Sequence, residues 1–266
     1  MINFSELLWT PSSRSQPRSP ALKISSLGAS ALAKVPVVKT VIHPGVRIVV
    51  ATDLSSPGAD RFRFLRMRLR ELRSASAIQS ILVTSALPKE GKSTVAMNLA
   101  TVLADGGKSS VLLVEGDLHR PSIASGLGIP AARGLAECLE IGIDPISVIQ
   151  RVEPLGFYLL HAGATKGNPT QVLQDEGLGA TLDGVRQHFD WIVIDTPPLA
   201  VLTDALLLGR CADTSLMVIR ADVTPRAAVD EALARLGAEH VFGILVNGEA
   251  ELNDAASKYA AYYQRR

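Results

Sequence analysis

The residues with the clearest capacity for chemistry lie between positions 81 and 94, where the chain reads Ile-Leu-Val-Thr-Ser-Ala-Leu-Pro-Lys-Glu-Gly-Lys-Ser-Thr. The glycine lets the backbone approach an anion closely, the next lysine can reach a terminal phosphate, and the hydroxyl that follows can bind Mg²⁺. We therefore predict a phosphate-binding loop that holds a nucleoside triphosphate. Its predicted binding residues are Pro88, Lys89, Glu90, Gly91, Lys92, Ser93 and Thr94.

Two residues depart from the usual pattern of such a loop. Ala86 stands where the loop usually begins with glycine, and Lys89 occupies a position that is often glycine. An apolar strand before the loop and a helical pattern after it are nevertheless what phosphate binding requires. This context favours a true phosphate site over a chance Gly-Lys-Ser turn.

A pair of acids, Glu115 and Asp117, follows the apolar run 111–114. In an extended segment this spacing points both side chains the same way. One carboxylate can then contact Mg²⁺ through water while the other accepts a proton from an attacking hydroxyl, a division of roles that phosphoryl transfer can use. A loop cap or a surface pair is the alternative for these acids taken alone, and the phosphate loop one strand earlier favours the functional interpretation.

A third acid, Asp195, closes the apolar run 191–194 and is followed by Thr-Pro-Pro. At the end of a neighbouring strand it would orient Mg²⁺ and the water around it. The predicted metal ligands are therefore Ser93, Asp117 and Asp195.

The elements around these residues predict an α/β fold of the P-loop NTPase kind. The apolar runs are continuous, which indicates strands buried on both faces in a mostly parallel sheet with helices on both sides. Ligands of such folds bind at the carboxyl ends of the strands, where the loop and the acids would meet. Strands are predicted at 81–85, 111–114, 157–160, 191–194, 215–219 and 241–246, and helices near 93–105, 170–188, 201–210 and 225–236.

The composition and charge of the chain limit the kinds of partner and the cellular compartment that can be predicted for it. The chain has 266 residues and a formal net charge of +1, so no overall field favours a nucleic-acid partner. No segment approaches the 18 or so consecutive apolar residues of a membrane-spanning helix, and no secretion signal begins the chain, which predicts a cytoplasmic protein. Cys138 and Cys211 are isolated, which is typical of reduced packing residues.

Three parts are predicted along the chain. Residues 1–50 are rich in Pro, Ser and basic side chains and are expected to form a disordered arm, either a solvated tail or an arm that docks on a membrane or partner. Residues 51–250 are expected to form the nucleotide-binding domain, and residues 251–266 a tyrosine-bearing tail.

The domain is expected to begin with an arginine-rich helix over residues 60–73. One face is apolar and would dock on the domain, and the neighbouring face is cationic. The cationic face is either opposed by carboxylates or phosphates or merely solvated. The apolar face is Phe62, Leu65, Leu69 and Leu72, and the cationic face is Arg63, Arg66, Arg70 and Arg73.

From about residue 60 to its end, the chain resembles the bacterial tyrosine autokinases (BY-kinases) of capsule and exopolysaccharide export. The Asp-Thr-Pro-Pro and Asn-Pro motifs separate that family from other phosphate-loop proteins better than the loop does. The motifs that carry the resemblance are the loop 86–93, the acidic segment 115–121, Ala162-Gly163, Asn168-Pro169, Asp195-Thr196-Pro197-Pro198, Asp204, Val246-Asn247-Gly248 and the terminal tyrosines.

The resemblance implies ATP and Mg²⁺ as cofactors and assigns roles to residues. Lys92 and Ser93 would hold the phosphates and Mg²⁺, and Asp117 and Asp195 would bind the metal. Glu115 occupies the position of the proposed base for the tyrosine hydroxyl, where the family has aspartate, and it is predicted to be catalytic together with Lys92 and Asp117. Two further departures are His119 in place of an arginine and Lys89 in place of a glycine, and all three concern the transfer rate more than nucleotide binding.

The resemblance also implies an assembly. The motif of Asp60, Arg63 and Arg66 is similar to the subunit contact of a ring in which each tail reaches a neighbour's site. The implied phosphoacceptors are Tyr259, Tyr262 and Tyr263, and a packed aromatic stripe is the alternative for them.

The expected function is thus an ATP-dependent protein tyrosine autokinase that regulates polysaccharide polymerisation and export. It would act in the cytoplasm beside the inner membrane, through a separate transmembrane co-polymerase that activates it, and a cognate tyrosine phosphatase would reverse it. One alternative is an ATPase of the MinD/ParA type, although Leu87 stands where those proteins need a second lysine. Another is a nucleotide-sensing scaffold of the same polysaccharide system that has lost transfer activity.

Overall fold

The computed structural model describes residues 31–43, 45–174 and 177–248. The first thirty residues and the predicted tail, with its three tyrosines, lie outside the described residues. One eight-stranded sheet forms the centre of the fold. Its strands are β1 (Val37–Lys39), β2 (Ser80–Ser85), β3 (Val111–Glu115), β4 (Gln150–Glu153), β5 (Phe157–Leu160), β6 (Trp191–Asp195), β7 (Thr214–Arg220) and β8 (Val241–Asn247).

The helices cover both faces of this sheet, as predicted. The helix expected near 170–188 is present as two helices, α7 and α8. The helices are α1 (Val49–Thr52), α2 (Pro57–Ser76), α3 (Lys92–Ala104), α4 (Ile123–Gly126), α5 (Leu135–Ile141), α6 (Pro145–Val148), α7 (Pro169–Leu173), α8 (Gly177–Arg186), α9 (Asp204–Gly209) and α10 (Arg226–Leu236). Within the described ranges, no helix combines the length and apolar character needed to cross a bilayer.

The strand order is β1-β4-β5-β3-β6-β2-β7-β8. β4 runs antiparallel to β5, and β1 is parallel to β4, while all other neighbours are parallel. The predicted mostly parallel sheet is therefore confirmed. Because β2, β6 and β3 are parallel neighbours, the segments that follow them leave from one edge of the sheet.

The central strands are buried on both faces, as their continuous apolar runs predict. Ile81 and Val83 of β2 pack in the layer that contains α3, whereas Leu82 packs in the layer on the opposite face. This arrangement fixes β2 between two apolar layers, so the loop that follows it leaves from a rigid strand end.

The structure differs from the sequence prediction before residue 50. Leu32 and Val35 are buried, Ile48 is fully enclosed, and β1 pairs with β4. The Asn98 side chain of α3 donates to the carbonyl of Arg47 at 2.8 Å, which holds this segment on the helix. The last part of the predicted arm, from Leu32 to Ile48, thus packs on the folded domain. The sequence did not predict this packing, because an irregular segment buries single apolar residues without a periodic pattern.

The predicted arginine-rich helix is α2. The Ser56 side chain accepts from the Ala59 amide at 3.2 Å and caps its start. Two predicted contact residues pair with each other, since Arg63 contacts Asp60 at 2.5 Å, and the third, Arg66, contacts Asp105 at 2.6 Å. Part of the cationic face is therefore opposed by the chain's own carboxylates, and its role in a ring stays a prediction.

Candidate nucleotide and magnesium site

The predicted phosphate loop connects β2 to α3 and ends on Gly91. Gly91 has φ +91°, and a Cβ there would lie 2.1 Å from Nδ2 of Asn247, so only glycine fits. Lys92 is the first residue of α3, with Ser93 and Thr94 in its first turn, so the free N–H groups of the helix start face the loop. Pro88 and Lys89 are exposed at the outer part of the loop.

Glu90 shapes the loop from within. Its carboxylate is buried and accepts the Leu87 amide at 2.8 Å and the Thr224 hydroxyl. Its carbonyl accepts from Nδ2 of Asn247 at 2.8 Å. The Glu90 side chain therefore binds the protein rather than a ligand. Thr224, which the sequence analysis did not identify, helps to hold Glu90 in place because the turn after β7 lies next to the phosphate loop.

Lys92 interacts electrostatically with two of the three predicted acids, Asp117 and Asp195. Its Nζ lies 3.5 Å from Oδ2 of Asp117, whose Oδ1 accepts the Arg120 amide at 3.0 Å. Asp195 is buried, and burial raises the pKa of its carboxyl to about 7, although the charge of Lys92 and a hydrogen bond from Ser93 oppose the shift. Lys92, Ser93, Asp117 and Asp195 thus converge as the sequence predicts.

The residues of this cluster fit Mg²⁺. Oδ1 of Asp195 is buried and has no hydrogen-bond partner within the described part of the chain. Mg²⁺ prefers such oxygen ligands, and a cation would remove the cost of the buried charge. No group of three His, Cys, Asp or Glu side chains in the described ranges could hold a metal alone. The remaining ligands would therefore be phosphate oxygens and water, which is usual for Mg²⁺.

Comparison with known proteins finds relatives that are named tyrosine-protein kinases. The tyrosine-protein kinase YwqD of Bacillus subtilis is 29% identical over 205 residues, which are 76% of this chain and 86% of YwqD. The putative tyrosine-protein kinase AmsA of Erwinia amylovora is 31% identical over 212 residues, but the match spans 28% of AmsA. No family model matches the chain.

The solved kinase domain of the Escherichia coli tyrosine kinase ETK superposes with a TM-score of 0.73 at 25% identity, over 80% of this chain and 84% of that domain. Several of the proteins to which this chain is similar are thus bacterial tyrosine kinases. The cell division ATPase MinD of Pyrococcus furiosus, at 23% identity and a TM-score of 0.54, shares the fold.

Glu115, the third predicted acid, has a different environment from Asp117 and Asp195. β3 ends at Glu115, so strand alternation does not extend to Asp117, and the two carboxylates have separate partners. The oxygens of Glu115 accept the Ile123 amide at 2.6 Å and the Ala162 amide at 3.3 Å. Burial raises the pKa of Glu115, against the opposing effect of these amides. The carboxylate joins α4 to the segment after β5, and its role as a base stays a prediction.

Lys89, which stands where such phosphate loops often have glycine, has φ +66°. A side chain in this left-handed conformation costs about 1–2 kcal/mol, which glycine avoids. We expect Lys89→Gly to raise the free energy of unfolding by up to about 1 kcal/mol, because the added freedom of the unfolded chain offsets part of the gain.

The matched control is Lys108→Gly, at the exposed Lys108 with φ −74°, which should lower the free energy of unfolding by about 0.5–1 kcal/mol. Urea unfolding of both variants checks the difference. Equal destabilisation by the two substitutions would show that Lys89 is not strained.

Proposed function

We propose that this chain is an Mg-ATP-dependent protein tyrosine kinase that phosphorylates the C-terminal tyrosines of a neighbouring copy. The observation that supports this most is the meeting of Lys92 with Asp117 and with the buried Asp195 at the phosphate loop. Similarity to bacterial tyrosine kinases supports the same reaction.

Each residue has a task in this proposal. Lys92 and the amides of the α3 start bind the phosphates, and Ser93, Asp117 and Asp195 hold Mg²⁺. Bound Mg²⁺ neutralises charge on the transferred phosphoryl group. The tyrosine oxygen forms a bond to the γ-phosphorus while the bond from that phosphorus to the β,γ-bridging oxygen breaks. A protein carboxylate takes the phenol proton, and Glu115 is the proposed acceptor.

Regulation would follow from the tail and its partners. The kinase would work on the cytoplasmic side of the inner membrane, activated by a separate transmembrane co-polymerase, and would form a ring through Asp60, Arg63 and Arg66. Each phosphate adds close to two negative charges, about −1.5 to −2, beside Arg265 and Arg266, which would loosen the tail from its neighbour. A tyrosine phosphatase would restore the ring, and polymerisation and export of a polysaccharide would follow this cycle.

Phosphotyrosine mapping by mass spectrometry, on protein from its own cell and after incubation with Mg-ATP, tests the proposal. We expect phosphate on Tyr259, Tyr262 or Tyr263 and none on Tyr158, which is buried against Phe189. Lys92→Met should lower labelling at least about 100-fold, because it removes charge stabilisation from the transferred group.

Lys108→Met is the matched control, because Lys108 is exposed beyond the far end of the helix that Lys92 begins, and it should label normally. Absence of phosphotyrosine in both preparations would contradict the proposal. The occupied carboxylate of Glu115 favours one second candidate, a nucleotide-sensing scaffold without transfer activity. ATP binding without labelling, and labelling gained by Glu115→Asp, would select that candidate.

A further inference from the structure

Three sequence features without an assigned role come together beside the acidic loop (residues 116–122). These are His119, the Asn168-Pro169 motif at the start of α7, and Asp204 at the start of α9. The hydroxyl of Thr170, next to Pro169, donates to Oδ1 of Asp204 at 2.8 Å. Nε2 of His119 lies 3.1 Å from Oδ2 of Asp204 and 3.3 Å from Oγ1 of Thr170.

The hydrogen bonding of this cluster is incomplete. Asp204 is fully buried, and an ionised carboxylate can only accept hydrogen bonds. Nε2 of His119 can offer at most one N–H to Asp204 and Thr170 together. Oδ2 of Asp204 has no well-directed hydrogen bond from any described residue. A buried carboxylate with an unfilled acceptor faces residue 119, where an arginine could offer a donor to each partner.

The cluster is placed to act on the metal-binding acid. His119 stands two residues after Asp117 in the acidic loop. Oδ2 of Asp117 faces Lys92 at 3.5 Å, and its Oδ1 accepts the amide of Arg120, directly after His119. The loop is thus held at one end by Lys92 and at its middle by Asp204. Loss of the second contact would let residues 117–120 shift, and Asp117 would shift with them.

We propose that Asp204 and Thr170 are positioning residues that act through His119 to keep Asp117 in place for the metal-bound nucleotide. The inference rests on the proposed function only in requiring that the chain bind Mg-ATP. The single shared N–H of His119 makes the contact weaker than the site allows. His119→Arg should therefore improve metal binding rather than disturb it.

The test measures how ATP binding depends on Mg²⁺, with a fluorescent ATP analogue as the probe. For His119→Ala and Asp204→Asn we expect the half-saturating Mg²⁺ concentration to rise about tenfold, the scale of one lost contact with a charged group. Affinity for the analogue in EDTA should stay within about twofold, since the phosphate loop is untouched. His119→Arg should lower the Mg²⁺ requirement. His240→Ala, at an exposed histidine beside Glu239, is the control and should change nothing.

A second readout needs neither metal nor nucleotide. Hydrogen exchange of the acidic loop in the metal-free protein should become faster in His119→Ala and slower in His119→Arg, with exchange of residues 85–95 unchanged. Asp204→Asn could unfold the protein, but His119 is partly exposed, so its two variants keep the test decisive.

Two results would overturn the proposal. One is a Mg²⁺ requirement in His119→Ala and His119→Arg that matches His240→Ala. The other is a loss of ATP affinity in EDTA equal to that in Mg²⁺, which would indicate general destabilisation. Neither measurement involves phosphate transfer, so a chain that binds Mg-ATP but labels no tyrosine would refute the proposed kinase and still decide the role of Asp204.

Discussion

Gly91→Ala should weaken ATP binding by at least about 100-fold, the scale expected when a preorganised phosphate site is lost. The left-handed backbone at φ +91° would cost alanine about 1–2 kcal/mol. The larger effect is steric, because the new Cβ would lie 2.1 Å from Nδ2 of Asn247. That nitrogen donates to the carbonyl of Glu90, so a displaced Asn247 releases the loop as well. Calorimetric titration with ATP measures the loss.

The control for this substitution is Gly142→Ala. Gly142 also has positive φ, +69°, but a Cβ there would have nothing within 4 Å. Both variants should lose a similar amount of stability from backbone strain, and only Gly91→Ala should lose ATP affinity. ATP affinity of Gly91→Ala equal to that of Gly142→Ala would show that Asn247 and Gly91 do not form the phosphate site.

Asp195→Asn should stabilise the metal-free protein above neutral pH and cripple its metal-dependent nucleotide binding. Burial raises the pKa of Asp195 from 3.8 to about 7, so the folded state favours the protonated acid. The contribution of protonated Asp195 to the free energy of unfolding is fully present below about pH 4 and is lost as the pH rises through about 7. At pH 8 the wild type holds the costly charge and Asp195→Asn does not, a difference of at most about 4 kcal/mol.

The same carboxylate explains why the substitution should be harmful in function. Removal of a metal ligand should raise the half-saturating Mg²⁺ concentration at least about 100-fold. In the wild type, Mg-ATP should bind more weakly at pH 6 than at pH 8 and should release a proton, because the metal binds the ionised acid. Calorimetry in buffers of different ionisation enthalpy measures that proton.

Asp230→Asn, at an exposed residue of α10, is the matched control and should keep the wild-type pH profile. In Asp195→Asn the proton release and the pH dependence should both disappear. An unchanged Mg²⁺ requirement in Asp195→Asn would show that Asp195 is not a metal ligand.

The sequence was sufficient to predict the central sheet and the convergence of Lys92, Asp117 and Asp195. Long apolar runs that end on an acid mark strand ends, and parallel strands present those ends at one edge. β1 and β4 were missed because they are short and, unlike β5, neither is a continuous apolar run: they read Val-Val-Lys and Gln-Arg-Val-Glu.

Partners that are distant along the chain could not be predicted. Glu115 accepts the amide of Ala162, 47 residues away, and Nε2 of His119 lies 3.1 Å from Oδ2 of Asp204, which is even further along the chain. The arginine stripe of α2 was visible in the sequence, but its pairing with Asp105 was not. Such contacts depend on the conformations of the loops that connect the helices and strands, and local sequence periodicity does not predict those conformations.

The most direct test is a crystal structure of the protein with Mg²⁺ and a non-hydrolysable ATP analogue. We expect the triphosphate against Gly91, Lys92 and Ser93, and Mg²⁺ about 2.0–2.1 Å from the Ser93 hydroxyl. Asp117 and Asp195 should contact the metal directly or through one water. A nucleotide bound elsewhere, or a metal out of reach of both Asp117 and Asp195, would contradict the account.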